Sequence, residues 1–259
     1  MVKNLWFFLG VKMPYINLKV GGKLTEQQKK EIISQFTKIG FVNLTNIQKQ
    51  SYSIIRKKKN ILLVAPTGSG KTEAAIIPII VEILNSRPEK NKVSVLYITP
   101  LRALNRDIFE RIINYTKLEG LTTEIRHGDT TRIQKRRMIE NPPDVLITTP
   151  ETLAILVTNK SLRTILSSVK WAIIDEFHEL IGNERGTQLT LSLERLQKLS
   201  RNKIVRIGLS ATLGDVNTSL KLLSGNSNKY LSEAIIDSTV REYDIEIKYL
   251  EGNLVDLSN

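Results

Sequence analysis

Two clusters of residues, far apart in the chain, hold the groups that could do chemistry. The first is Ala65-Pro-Thr-Gly-Ser-Gly-Lys-Thr72. Gly68 and Gly70 permit backbone angles closed to other residues, so successive N–H groups can turn inward as a nest for phosphate oxygens. Pro66, Thr67, Gly68, Ser69, Gly70, Lys71 and Thr72 follow the phosphate-loop pattern, with Ala65 where the first glycine of that pattern usually stands. In that pattern Lys71 reaches the β- and γ-phosphates of a nucleotide, and Thr72 sets its hydroxyl on Mg2+. A helix starting near Lys71 would point the positive end of its dipole at the same anion. The plainer alternative is a glycine-rich turn that merely contains Lys-Thr. The apolar run before the motif and the helical pattern after it favour phosphate binding.

The second cluster is Lys170-Trp-Ala-Ile-Ile-Asp-Glu-Phe-His178, an apolar run that ends in two carboxylates. Asp175 suits Mg2+, held through water. Glu176 suits polarisation of an attacking water. Asp-Glu pairs also cap helix N-termini. Alongside a phosphate loop, however, this pair completes a Mg-ATP hydrolysis site, with ATP and Mg2+ as its cofactors.

The elements that must position these groups are legible as alternation. Apolar, β-branched runs at 60–65, 93–99, 145–148, 171–175 and 205–210 read as buried strands. Between them, Leu104, Ile108, Ile112 and Tyr115, and later Leu189, Leu193, Leu196 and Leu199, fall at helical spacing. Strand–helix alternation predicts right-handed crossovers and an α/β fold: a mostly parallel sheet with helices on both faces. In such sheets ligands bind at the carboxyl ends of the strands, where both clusters fall. Pro100-Leu-Arg102, Thr149-Pro-Glu151 and Ser210-Ala-Thr212 fall there too. Pro78 is expected to kink or shorten the helix after the phosphate loop. Residues 243–250 alternate and predict one more strand.

Composition narrows the function classes. The 259 residues carry a formal charge of +12, which favours polyanionic partners. No cysteine is present, which excludes disulfides, thiolate catalysis and cysteine-based zinc sites and fits a cytoplasmic protein. His127 and His178 are the only histidines, too few for a histidine-rich metal centre. The apolar run Leu5–Val11 lacks a small-residue cleavage site and is too short to span a bilayer. It reads as a packing strand, or as translation assigned from too early a start ahead of Met13. Arg56-Lys-Lys-Lys59 and Lys135-Arg-Arg137 read as solvated basic faces.

Taken in order, these residues resemble the first RecA-like domain of superfamily 2 helicases of the DExH type. The resemblance covers roughly residues 40 to 215. Phe41, Thr45 and Gln48 resemble the adenine-reading segment, with Gln48 implied to hydrogen-bond the base. Thr99-Pro-Leu-Arg-Ala-Leu-Asn105, His127-Gly-Asp129 and Thr148-Thr-Pro-Glu-Thr152 resemble the nucleic-acid-contacting motifs. Asp175-Glu-Phe-His178 and Ser210-Ala-Thr212 resemble motifs II and III. The resemblance implies a RecA-like P-loop NTPase fold and an ATP-dependent helicase activity. Arg102, Thr149, Glu151 and Thr152 would contact nucleic acid, and His178, Ser210 and Thr212 would couple nucleotide state to it. Hydroxyls and N–H groups at strand ends suit phosphates without reading bases. A solvated charge at Arg102 and a helix cap at Thr152 are the plainer alternatives. His127 could face nucleic acid or simply end a strand. His178, where DEAD-box RNA helicases carry Asp, argues against that branch. The Pro-Leu-Arg-Ala-Leu run and 186–195 are similar to the large helicase-related (Lhr) group. The expected partner is nucleic acid, DNA rather than RNA.

The implied organisation is an N-terminal extension at 1–24, the ATP-binding domain at 25–240, and at 241–259 the start of a linker towards a second RecA-like domain. No Gln-x-x-Gly-Arg-x-Gly-Arg-like segment occurs. An arginine finger from such a domain accelerates phosphoryl transfer by about 10³–10⁵. The expectation is therefore that this chain binds ATP and hydrolyses it very slowly until a second domain or subunit joins it. The alternative is a nucleic-acid-binding or regulatory module of the same fold that does not turn ATP over. No membrane association is expected.

Overall fold

The computed structural model describes residues 44–86, 89, 91–100, 106–212, 215–225 and 232–237, together with Lys30, Ser34 and Thr37. In chain order the elements are α1 (Asn46–Arg56), β1 (Asn60–Val64), α2 (Lys71–Ser86), β2 (Val95–Ile98), α3 (Arg106–Leu118), β3 (Thr123–Arg126), α4 (Arg132–Glu140) and β4 (Val145–Thr148). They continue as α5 (Pro150–Thr158), α6 (Lys160–Arg163), β5 (Trp171–Ile174), α7 (Glu184–Leu199), β6 (Val205–Ser210), α8 (Val216–Ser224) and β7 (Ser232–Ile236). The seven strands form one sheet in the order β3-β4-β2-β5-β6-β1-β7. Every pairing in it is parallel. The five strands expected from apolar runs are all present: those at 145–148 and 205–210 keep their expected bounds, and the other three are shorter where their ends turn into loops. The two additional strands are β3 and β7, which lie at the edges of the sheet. An edge strand contacts a neighbour on one side only. The half-buried Thr-Glu-Ile of β3 therefore lacks the continuous apolar run that marks the inner strands.

Alternation along each inner strand divides the core in two. Ile61 and Leu63 of β1 join Ile47 and Tyr52 of α1, Ile76 and Ile79 of α2 and Ile112 of α3 on one face. Leu62 and Val64 face the other way, into a layer with Met138 of α4, Leu153 and Leu156 of α5, Leu189 and Leu193 of α7 and Leu223 of α8. Burial on both faces is why these strands read as unbroken apolar segments rather than as alternating ones. Among the described residues, no helix is long and apolar enough to cross a membrane. Residues 243–250, Leu5–Val11 and the two proposed domain boundaries lie outside the described residues.

Pro78 does not shorten its helix, as the sequence led us to expect; α2 runs on through it to Ser86. Proline at 78 supplies no N–H for the carbonyl four residues earlier, that of Ala74. Ser51 of α1 fills the gap: its hydroxyl donates to Ala74 O at 2.8 Å, in a fully buried contact. A neighbouring helix thus supplies the hydrogen bond that proline removes, and the two helices are locked in register behind the phosphate loop. Removing this donor would strand a buried carbonyl, which costs about 1–3 kcal/mol. We expect Ser51→Ala to lower thermal stability by that order. Ser51→Ala combined with Pro78→Ala should recover part of the loss, because alanine at that position restores the helical N–H. Denaturant unfolding of the two variants tests this.

Candidate nucleotide site

The phosphate loop fills the turn between β1 and α2. Ser69 N–H donates to Pro66 O at 3.2 Å, and Ala65 N–H donates to Ser210 O at 3.1 Å, tying the loop's first residue to the end of β6. Gly68 and Gly70 adopt φ of 75° and 85°, the left-handed region that favours glycine. Gly70 has a second constraint: a Cβ there would lie 2.5 Å from Gln48 Nε2. Gln48 is buried against the loop, and its Oε1 accepts the Thr45 N–H at 3.0 Å, closing the N-terminus of α1. Its amide therefore joins helix capping to the floor of the loop. Lys71 is 8% exposed, and its ammonium donates to Ala65 O at 2.6 Å and to Pro66 O at 2.9 Å. Burial pulls its pKa below the ordinary lysine value, while the charges of Glu176 and Asp175 pull it back up.

Asp175 follows β5, and its N–H donates to Ile98 O at 2.8 Å. It shares the parity of Ile173 along that strand and so faces the α1–α3 side, where α2 begins. Oδ2 accepts the Tyr97 hydroxyl at 2.5 Å and Oδ1 accepts the Glu176 N–H at 2.9 Å. Thr72 lies near enough to the same phenol to oppose the rise of its pKa. Tyr97 is fully buried on β2, the strand beside β5. It links the hydroxyl and the carboxylate that the sequence assigned to Mg2+, yet in the sequence it stood only as part of an apolar run. A lone hydroxyl at the carboxyl end of such a run was the available signal.

Burial raises the pKa of Asp175; the Tyr97 and Glu176 N–H hydrogen bonds and the Lys71 charge oppose this. Burial also raises that of Glu176, aided by repulsion from Asp175 and opposed by His178 and Lys71. Glu176 has φ 45° and ψ 44°, a left-handed backbone strained for a residue with a Cβ. The next residues form a 3-10 turn, Phe177–Leu180. Over that turn crosses α7, at Gly186: a Cβ there would lie 1.6 Å from Leu180 O.

These groups meet in one open cleft of ≈ 370 Å³ at the carboxyl rim, bordered by the phosphate loop, Lys71, Thr72, Asp175, Glu176 and Arg111 of α3. That volume lies within the ~300–1,000 Å³ of small-molecule sites. No cluster of three or more His, Asp or Glu able to hold a metal occurs among the described residues. The donors present, one carboxylate and one hydroxyl, suit Mg2+, which takes one or two carboxylates and completes its shell with water and substrate phosphates. Arg111 is paired with Glu73 at 2.8 Å.

The remaining expected residues are placed as follows. Thr149 caps α5, its hydroxyl accepting the Thr152 N–H at 3.3 Å and donating to Thr152 Oγ1 at 3.1 Å. Glu151 pairs with Arg185 of α7 at 2.7 Å. Burial pushes the Glu151 carboxyl up, but the Arg185 hydrogen bond and the cap outweigh it and leave the pKa below the ordinary value. Ser210 Oγ donates to Thr212 O at 2.8 Å, and both residues border a small cavity with Phe177. His178 Nδ1 is buried 3.5 Å from Glu176 Oε2 without a hydrogen bond among the described residues. His127 and Asp129 form a turn, with Nδ1 3.7 Å from the carboxylate. Phe41 and Arg102 lie outside the described residues.

Residues 45–219 match the DEAD/DEAH box helicase family. The chain belongs to that family. Within it, the chain is 37% identical over 228 residues to the ATP-dependent helicase Lhr-Core of Sulfolobus acidocaldarius, a match covering 83% of this chain and 26% of that protein. To Lhr-Core of Methanothermobacter thermautotrophicus it is 39% identical over 233 residues, covering 83% and 27%. The chain thus spans about a quarter of the length of the curated relatives it matches. Among solved structures, Mycobacterium smegmatis helicase Lhr bound to ssDNA and AMP-PNP superposes with a TM-score of 0.71 at 35% identity, over 88% of this chain and 30% of that one. DEAD-box helicase Mss116 bound to ssRNA and UDP-BeF superposes at 0.68 and 24% identity, over 81% and 44%, sharing the RecA-like fold.

The raised pKa of Glu176 has a consequence for stability. A carboxyl whose folded pKa exceeds its unfolded one stabilises the fold below the unfolded value, about 4, and loses that contribution as pH rises through the folded value. Glu176→Gln, which fixes the neutral form, should raise Tm at pH 7 and leave it unchanged near pH 3.5. Thermal melts across that range check the sign; a lower Tm at pH 7 would contradict it.

Proposed function

We propose that this chain is the ATP-binding domain of an ATP-dependent DNA helicase of the Lhr type. The observation that carries the reading is the shared cleft: Lys71, Thr72, Asp175 and Glu176 arrive from β1 and β5 at one rim. In this reading the N–H groups of 66–72 and the Lys71 ammonium hold the triphosphate, with Lys71 released from the Ala65 and Pro66 carbonyls that it now bonds. Gln48, already against the loop, contacts adenine. Thr72 and, through water, Asp175 hold Mg2+, which neutralises phosphate charge when bound. Glu176 orients the attacking water and accepts its proton, a role served by a pKa raised above the ordinary carboxylate value.

Arg102, Thr149, Glu151 and Thr152 belong to the nucleic-acid track. Glu151 would act by holding Arg185 rather than by touching phosphate itself. Ser210 and Thr212, with His178 on Glu176, couple the two sites; the bond between Ser210 O and the Ala65 N–H supports that route. DNA is favoured because the 35%-identical neighbour is described with ssDNA, whereas the ssRNA-bound one is 24% identical. Turnover at a useful rate requires a second RecA-like domain, in the same chain or in trans, to bring an arginine to the γ-phosphate; such an arginine is worth about 10³–10⁵ in rate.

Titration with a fluorescent ATP analogue tests the nucleotide reading. Lys71→Ala should weaken binding by about tenfold or more, equivalent to about 1.4 kcal/mol; unchanged affinity would sink the proposal. Tyr97→Phe removes a donor that lowers the Asp175 pKa against the effect of burial. We expect it to move the Mg2+ dependence of ATP binding to higher concentration while Mg-free binding stays as in the unaltered protein. Equal loss in both conditions would mean that Tyr97 merely supports the fold.

A further inference from the structure

The opposite rim of the sheet, where the strands begin, holds a second cleft, of ≈ 240 Å³. Three connections open onto it, and each brings a lysine: Lys58 ahead of β1, Lys170 ahead of β5 and Lys203 ahead of β6. Trp171 and Val205, the first residues of β5 and β6, supply its apolar wall, and the end of α2 borders it with Glu82. The cleft thus has three ammonium groups at its border and, among its lining residues, one carboxylate. The charge of that carboxylate is offset by Arg56, 3.2 Å away.

Two further features point the same way. Trp171 is 3% exposed, and its indole N–H is sealed from solvent without an acceptor among the described residues. A buried indole N–H ordinarily finds one. Lys170 lies over the ring, 5.9 Å from its centroid, and donates to Ser86 Oγ at 3.4 Å, a long contact for an ammonium. Lys58 has φ 53°, in the left-handed region. Its N–H donates to Ile55 O at 2.9 Å just past the end of α1, where glycine is the unstrained choice. Two other non-glycine residues share such an angle among the described residues: Asn91, of a type that tolerates it, and Glu176 of the nucleotide cleft. At Lys58 the strain sets an ammonium where glycine would leave none.

We infer that the amino rim between the starts of β1, β5 and β6 is a second anion site, and that it takes a phosphomonoester or pyrophosphate group. Charge and size select that class. Lysine serves phosphate as a point charge, whereas a carboxylate is matched best by a guanidinium fork. A phosphodiester carries a single negative charge; a phosphomonoester carries about 1.5–2 near neutral pH and is the better match for several ammonium groups. The recess falls below the ~300–1,000 Å³ of drug-sized sites, which suits the charged group rather than a whole nucleotide. The site lies at the far end of β5 from Asp175 and does not rest on the reading of the nucleotide cleft.

The test is equilibrium dialysis of radiolabelled pyrophosphate against the 259-residue chain at low salt, carried in Trp6→Phe so that Trp171 is the one tryptophan left to report by its emission. Pyrophosphate also suits the phosphate loop, so Lys71→Ala is the background in which the amino rim is read. We expect saturable binding there, with a change in Trp171 emission over the same concentrations. Lys58→Gly should weaken it about tenfold, the effect of one charge-assisted hydrogen bond, while Tm stays equal or rises because glycine relieves the backbone angle. Lys135→Gln removes the same charge from α4 and should change nothing. Equal weakening by Lys135→Gln would mean diffuse attraction to a basic protein and would overturn the assignment. Unchanged affinity in Lys58→Gly, no binding in the Lys71→Ala background, or binding without a change in Trp171 emission would overturn it as well. Should Lys58→Gly fail to fold, Lys170→Gln carries the same expectation. Competition with oligo-dT bearing a 5′-phosphate or a 5′-hydroxyl identifies the source. Displacement by the phosphorylated strand alone points to a strand end, and displacement by neither to a free small phosphate; both support the site. Equal displacement by both strands would mean that the backbone is bound and would overturn the monoester assignment. Unchanged binding of the ATP analogue in Lys71→Ala would sink the nucleotide reading and leave this site standing.

Discussion

Three ionisable groups drawn out of water at one rim of the sheet set the terms for everything around them. Lys71, Asp175 and Glu176 each lose hydration on folding, and each shows it in the direction of its pKa. Attraction between the lysine and each carboxylate offsets part of that loss, against repulsion between the two carboxylates, because all three are held close together. The hydrogen bonds around them do the rest: two loop carbonyls for the ammonium, a phenol and a backbone N–H for Asp175. A parallel sheet is suited to this task, because it delivers the ends of several strands, with their loops, to the same edge. The strained backbone of Glu176 belongs to the same account. A glycine would relieve the angle and remove the carboxylate, so the strain persists where the group is wanted.

Much of this was legible in the sequence, for identifiable reasons. The inner strands announce themselves because both their faces are buried. The phosphate loop does so because its glycines are needed at particular backbone angles, and the Asp-Glu pair because charge abruptly follows an apolar run. What stayed hidden depends on contacts between distant segments. The link from Tyr97 to Asp175 crosses from β2 to β5, and the one from Ser51 to Ala74 crosses from α1 to α2. Neither has a local pattern. Pro78 shows the limit most clearly: the local rule was sound, but a donor from another helix satisfied the group that the rule leaves bare. β3 and β7 were missed because edge strands need no continuous apolar stretch.

Two residues carry duties that a motif reading separates. Gln48 closes its own helix with one end of its amide and presses the other against Gly70. Changes at the adenine side and in the loop floor are therefore not independent. Arg206 and Arg126 form a second contrast: one guanidinium has its acceptors built in, the other has none among the described residues. The first closes a packing joint between β6, α7 and α8.

The sheet order has a mechanical corollary. The strand of the phosphate loop and the strand of the carboxylates do not touch; β6 lies between them. Its last residue, Ser210, holds the first residue of the phosphate loop through a backbone hydrogen bond, while Gly208, two residues earlier, lies against Phe177. A strand wedged in this way acts as a gauge block: its position sets the spacing of the jaws on either side. The gap between lysine and aspartate is therefore set by the width of a strand that carries neither of them.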